Sequence, residues 1–202
     1  MNVQTLEVRI FAGEVIAAHL DDIARLRMAV LREWPHLYGG DMGDEFGYLQ
    51  RYLRSPHSIA VLVYDDDKAV GAATGMPMAD ESAGLLAGFE HSSVDPGEVF
   101  HFGESVLLPR YRGRGLGHRF FEERERHAHA LGGFSYTGFG VVERADDDSR
   151  RPPFQRSNEA FWRKRGYAPR AGLQLMRPWQ EIGAGEVQHT LDVWLRPLER
   201  VF

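Results

Sequence analysis

The heptapeptide Arg112-Gly113-Arg114-Gly115-Leu116-Gly117-His118 decides how this sequence is read. An anion-binding turn needs glycines that let backbone N–H groups approach phosphate oxygens, a helix that starts immediately afterwards, and cations nearby. Gly113, Gly115 and Gly117 meet the first need, and Arg110, Arg112, Arg114 and Arg119 the last. The helix follows at once, because Leu116, Phe120, Ala128 and Leu131 form an apolar stripe over 116–131 that Gly132-Gly133 closes. By spacing alone the stretch also fits a glycine-rich surface turn with solvated arginines. A dinucleotide fingerprint fails, since His118 stands where the third glycine belongs and no acidic residue closes a parallel strand about 20 residues on. No Gly-Lys-Ser/Thr follows, so a Walker loop fails as well.

Working outward, the apolar run 100–108 reads as a central strand bounded by Pro109, which makes strand, glycine turn and helix consecutive. Further upstream, 58–64 and 69–76 are β-rich and apolar around the turn 65–68, a β-hairpin. Between hairpin and central strand, 79–97 is turn-rich, with a short helix near 82–89. Two helices precede the hairpin. The first spans 20–37, with Ile23, Leu26, Ala29, Val30 and Trp34 at three- and four-residue steps behind Asp21 and Asp22, and Pro35 ends or kinks it. The second spans 44–53, with Phe46, Leu49 and Leu53 on one side and Ser55-Pro56 as its stop. Downstream come a strand at 135–142 and a polar loop at 143–156. A short helix at 158–165 follows, capped by Ser157 or Asn158 and closed by Gly166, then final strands at 173–176 and 187–195.

A length of 202 residues with 43% apolar and 26% charged residues is ordinary globular usage, so one domain over 1–202 is expected. No apolar run approaches the ~18 residues that span a bilayer. The first fourteen residues lack the order of a secretory signal, so a cytoplasmic protein without membrane attachment is expected. The absence of cysteine excludes a thiol nucleophile, a disulfide frame and thiolate zinc sites. A net charge of -5 argues against a non-specific nucleic-acid binder.

In this context the sequence resembles the GNAT superfamily of acyl-CoA-dependent N-acyltransferases. Its acyl-CoA signature is Arg or Gln, two residues, Gly, one residue, then Gly or Ala, and Arg112, Gly115 and Gly117 fit it. Asn158, Ala160, Phe161, Trp162, Gly166 and Tyr167 look like the family's later motif, which lies beside the cysteamine arm. The resemblance covers 58–167. It implies an α/β (α+β) fold, a mixed, twisted sheet with helices on both faces, splayed between the strands at 100–108 and 135–142. Acetyl-CoA would enter the splay and be held by the strand backbone at Val106 and Leu107, the turn Arg112, Gly113, Arg114, Gly115, Leu116, Gly117 and His118, and Asn158, Phe161 and Trp162. An N–H near Leu107 would meet the thioester carbonyl. No metal is implied.

Attack on a thioester needs a neutral amine, so a base has to take a proton from an ammonium. The family commonly draws that base from the strand before the phosphate turn, where His101 and Glu104 stand. Three positions apart, they point to opposite faces of a regular strand unless a bulge re-aims one. His101 also fits a structural histidine and Glu104 a carboxylate tied to an arginine. Glu104 is preferred as the base, with its pKa expected to be raised by burial. Trp162 departs from the family, which often has a proton-donating tyrosine there, so Tyr136, Tyr167, water or an unassisted thiolate would have to serve. Trp34, Tyr38, Tyr48 and Tyr52 cluster near the early helices, where the family builds its acceptor pocket, although aromatics at this spacing also fit a core. The acceptor expected is a small primary amine, with a protein N-terminus or lysine, or a non-catalytic acyl-CoA sensor, as alternatives. A homodimer is as admissible as a monomer.

Overall fold

The computed structural model describes residues 6–154 and 157–199; the last two positions of the loop expected at 143–156 lie outside these. Among these residues seven strands form one sheet in the order β1-β2-β3-β4-β5-β7-β6. They are β1 (Leu6–Ala12), β2 (Ile59–Asp65), β3 (Lys68–Pro77), β4 (Val99–Leu107), β5 (Tyr136–Val142), β6 (Ala168–Glu181) and β7 (Gly185–Pro197). Every neighbouring pair is antiparallel except β4 and β5. The helices are α1 (Leu20–Leu31), α2 (Met42–Arg54), α3 (Ala83–Leu86), α4 (Leu116–Leu131) and α5 (Glu159–Lys164).

Helices cover both faces of the sheet, which is why β2 is buried along its whole length and reads as a continuous apolar run. On one face Ile23 and Leu26 of α1 and Leu49 and Tyr52 of α2 pack on Ala60, Leu62, Ala72 and Met76. On the other, Phe120, Phe121 and Ala128 of α4 pack on Val61, Val63, Ala73, Phe100 and Phe102. The Asp41 side chain accepts from the N–H groups of Gly43 and Asp44 while Asp44 reaches back to the Asp41 N–H, a reciprocal cap that starts α2. Asp66, at φ 53, turns the β2–β3 hairpin.

The fold departs from the sequence-based expectation in three places. β1 was not anticipated; it is a seven-residue edge strand with Ile10 48% exposed, so it lacks the apolar run of a central strand. β6 runs over fourteen residues rather than 173–176, and holds Pro169 and Pro178. It is the other edge strand, where a missing N–H need not break a ladder. α1 stops at Leu31 instead of reaching 37, and a cis Trp34-Pro35 peptide lies in the segment that follows.

β4 carries the feature that shapes the site. Ala73 pairs with Ser105 and Gly75 with Phe102, so two steps along β3 span three along β4. This bulge turns Glu104 onto the same face as His101, where regular alternation would have opposed them. Gly103 permits it, because a Cβ there would lie 2.0 Å from the Tyr52 hydroxyl and 2.6 Å from Thr74 Oγ1.

Candidate active site

β4 and β5 pair only over Val99–His101 and Tyr136–Gly138. Beyond that they part, and a cavity of about 500 Å³ fills the splay. At one end it is lined by Leu107 of β4, Gly117 and Phe120 of α4, Asn158 just before α5, and Phe161 and Trp162 of α5. At the other end stand Glu104, Tyr38 and Tyr48. Among the residues singled out in the sequence, His101, Val106, Trp34 and Tyr52 do not line it, and of the glycine turn only Gly117 does, with Arg112, Gly113, Arg114, Gly115, Leu116 and His118 outside its lining. Val106 is fully buried in the α1–α2 core, as is Tyr52. Trp34 lies beneath the Arg144 guanidinium, 5.8 Å from its ring.

The glycine turn has the form of an anion cradle. Gly113 (φ +76) and Gly115 (φ +80) adopt left-handed conformations that favour glycine. The first bonds of α4 run from His118 and Arg119 N–H to Gly115 O, at 3.0 and 3.4 Å, so the N–H groups of Leu116 and Gly117 have no carbonyl of their own helix to meet. The helix dipole adds positive potential at this end. Leu116 is buried, so what it offers here is its backbone. Arg112 donates from Nε to Leu107 O at 3.1 Å and pairs with exposed Glu33 at 2.9 Å. Arg114 folds back onto Arg110 O at 3.2 Å. His118 meets the Phe161 ring edge-on at 4.9 Å. The Leu108 N–H donates to Val70 O at 3.0 Å. In an antiparallel ladder the peptide groups alternate, so the Leu107 N–H faces the splay and that of Val106 faces β3.

The far end is a chamber of buried charge. Glu104 accepts from Arg27 Nη1 at 2.5 Å, Tyr48 Oη at 2.8 Å and Thr74 Oγ1 at 2.9 Å. Arg27 also donates to Glu45 at 2.6 Å. Arg51 bonds to the Tyr48 hydroxyl and pairs with Glu81 at 2.7 Å, and Glu81 holds His101 Nδ1 at 2.7 Å on its other oxygen. Arg177 of β6 donates to Tyr48 Oη at 3.1 Å. The expected rise in the Glu104 pKa is not found. Burial does push it up, but the guanidinium groups of Arg27 and Arg51 and the bonds from Tyr48 and Thr74 outweigh burial and hold it below the ordinary value. Burial likewise lowers His101, against the pull of Glu81.

The chamber is roofed. The segment after α1 and the β6–β7 hairpin are joined by Gly39 N–H to Gln180 O (2.7 Å), Ile182 N–H to Leu37 O (2.8 Å) and Trp179 Nε1 to His36 O (3.1 Å). Arg144 adds bonds to the carbonyls of Pro35 and His36 at 2.7 and 3.0 Å. Neither tyrosine considered as a proton donor in place of Trp162 reaches the cavity. Tyr167 is buried and bonded to Thr137 and Glu125, and Tyr136 packs with the core beneath α3. Among the described residues no group of three or more His, Asp or Glu side chains could hold a metal ion, and no helix is long and apolar enough to cross a membrane.

Sequence reasoning missed Arg27, Glu45, Glu81, Arg124 and Arg177. A signal existed for three of them. Arg27 follows Ile23 by four residues, Glu45 precedes Leu49 by four, and Arg124 stands midway between Phe120 and Ala128, so each occupies the apolar stripe of its helix.

The family model described as the GNAT acetyltransferase family matches residues 23–151. The chain belongs to this family. Comparison with curated proteins gives no match by sequence. Solved structures share the fold at low identity. The Arabidopsis thaliana NAA60 complex with acetyl-CoA has a TM-score of 0.60 at 12% identity, over 96% of this chain and 99% of that one. The Escherichia coli ribosomal-protein-S18-alanine N-acetyltransferase gives 0.58 at 11% identity, over 97% of each chain. The loading GNATL domain of CurA from Lyngbya majuscula gives 0.58 at 15% identity, over 95% and 98%. The mixed, splayed seven-stranded sheet is the GNAT fold.

Proposed function

We propose that this GNAT protein transfers the acetyl group of acetyl-CoA to a primary amine of a small molecule, by direct attack. The observation that carries this reading is one cavity that runs from Gly117, at the edge of the anion cradle, through the splay to the Glu104 chamber. Its two ends suit the two substrates.

The turn fits the diphosphate of coenzyme A, since it presents free helix N-terminal N–H groups, left-handed glycines and arginines. Arg112 to His118 would hold the phosphates, and Asn158, Phe161 and Trp162 would flank the arm. Acetyl-CoA supplies an acetyl thioester. The Leu107 N–H, aimed into the splay, is suited to polarise a carbonyl there. Glu104 attracts and orients the acceptor ammonium and takes its proton, directly or through a water. Its lowered pKa makes that transfer uphill, so the rate rises with pH as the amine becomes neutral. His101, behind Glu81 and outside the cavity, supports Glu81.

The roof favours a small acceptor over a polypeptide. A peptide would need an open groove, whereas the hydrogen bonds between residues 35–39 and the β6–β7 hairpin close that side. Thiol release from acetyl-CoA with a panel of small amines and with N-terminal and lysine peptides tests the proposal. Turnover of small amines is expected. Turnover of peptides alone, or acetyl-CoA binding without turnover of any amine, would refute it.

A further inference from the structure

α4 carries a buried charge that neither the phosphate turn nor the polar chamber uses. Arg124 is 1% exposed. Its Nε donates to Phe120 O at 2.9 Å, and Nη1 to the carbonyls of Thr74 and Glu104 at 3.0 and 3.2 Å. Nη2 donates to Ser105 Oγ at 2.8 Å. The guanidinium lies over the Phe102 ring, 4.1 Å from its centre. Among the described residues no carboxylate pairs with it. Glu104 and Glu125 act on it through space, but Glu104 is held by Arg27, and Glu125 by Arg165 and Arg196. Tyr52 and Tyr167 are the other titratable groups around it. Burial pushes Arg124 down to about 10, so it remains charged at neutral pH. A buried cation without a counter-ion is costly, and backbone carbonyls offset only part of that cost.

Ser105 gives this charge an outlet. It is exposed on β4 and lines the cavity, between Glu104 and the Leu107 peptide. Because its oxygen accepts from Arg124, the hydroxyl hydrogen is left to donate into the splay. The walls there are apolar, with Phe102, Phe121, Phe139, Phe161 and Trp162 among them. A hydrogen bond in such surroundings is stronger than in water. Neither Tyr136 nor Tyr167 reaches the cavity to take the role that Trp162 cannot fill.

We propose that the Ser105 hydroxyl, oriented and polarised by Arg124, donates a hydrogen bond to the thioester sulfur as the C–S bond breaks. The inference rests on the acetyl-transfer reading above. The amine lone pair forms the C–N bond, the C–S electron pair leaves on sulfur, and the ammonium proton goes to Glu104 or water. Ser105 keeps its own proton, and the thiolate is protonated from solvent afterwards. Ser105 is the catalytic residue here and Arg124 its positioning residue.

The test reads the thiol of bound coenzyme A directly, by the ultraviolet absorbance of its thiolate through a pH titration of the complex. A donor and a nearby cation favour the thiolate, so the bound thiol should ionise at lower pH than free coenzyme A. Ser105→Ala should return it towards the free value and lower kcat by about 10–100-fold, the size of a hydrogen bond to a charged partner. Acetyl-CoA affinity by calorimetry should stay unchanged, and Ser105→Thr should restore both properties. Arg124→Lys, which keeps the charge but loses the fork, should move the titration part of the way. Ser105→Ala leaves Arg124 Nη2 without its side-chain acceptor, so a urea midpoint on the same preparation checks that the variant is folded. A Ser105→Ala protein with wild-type thiol titration and kcat overturns this proposal and leaves acetyl transfer standing. A wild-type protein that binds no coenzyme A overturns both.

Discussion

Glu104→Gln removes one charge from the chamber while keeping its shape. In the native chain the two carboxylate oxygens accept three bonds, from Arg27, Tyr48 and Thr74. The amide turns one of those oxygens into a donor that faces other donors. Breaking a buried pair by removing one partner costs about 3–5 kcal/mol, and Arg27 keeps Glu45 at 2.6 Å, so the low end, ~3 kcal/mol, is expected. At ~2–4 °C per kcal/mol for a chain of this size, the melting temperature should fall by about 6–12 °C. The variant remains folded at 25 °C if the wild type has ordinary stability. Its kcat should fall by roughly 10²–10⁴-fold, the contribution of a general base. Acetyl-CoA affinity should hold, because the turn proposed to hold its phosphates borders the opposite end of the cavity, at Gly117. Differential scanning calorimetry, titration calorimetry and thiol release on one preparation separate these effects. A folded Glu104→Gln protein with near-wild-type kcat would show that Glu104 is structural; His101→Gln, one partner further from the cavity, should do less in either assay.

Three further outcomes are expected. Arg112→Ala should weaken acetyl-CoA binding by ~1.5–3 kcal/mol through loss of a charge-assisted contact, and calorimetry showing undiminished affinity would remove Arg112 from the phosphate site. Gly115→Ala meets no neighbouring atom, so its left-handed φ of +80 alone should cost ~1–2 kcal/mol; an unchanged urea midpoint would contradict that. Burial lowers the pKa of His36 to about 4 and also depresses His101 and His189, so the folded chain refuses protons that the unfolded chain accepts near pH 6.5. The stability these neutral histidines provide is complete above that pH and is lost as the pH falls through the folded values. The carboxylates of Glu81, Glu104 and Glu181, all held below their ordinary values, extend the loss to lower pH. Urea midpoints that are equal at pH 7.5 and pH 5 would refute this assignment.

The parts of the molecule that were legible in the sequence are those whose causes are local. α4 begins and ends where its stripe and glycines put it, because Gly115 and Gly132 mark both ends with positive φ. The hairpin of β2 and β3 announces itself by two apolar runs around an acidic turn. β1 and most of β6 were hidden because edge strands are half-exposed and tolerate proline, so their composition does not separate them from loop. The same division runs through the site. The glycine turn and the helix beside it come from two contiguous stretches, 112–118 and 158–162, so their local form follows from neighbouring residues. The chamber draws one side chain each from α1, β3, β6 and the segment after β3, two from β4 and three from α2, and no spacing rule connects them. What the sequence offers instead is a set of contradictions. Arg27, Glu45 and Arg124 sit on apolar stripes, where a charge is unfavourable unless it has partners. Gly103 interrupts an apolar strand, and an interior glycine marks a bulge or a close approach. Here it marks both, since the Tyr52 hydroxyl occupies its missing side chain and the extra residue turns Glu104 to the face of His101. Each contradiction lies at a residue that lines the cavity or holds one that does, so local rules broken inside otherwise regular elements point to the cavity more directly than the aromatic cluster does. Of the four aromatics in that cluster, only Tyr38 and Tyr48 reach the cavity.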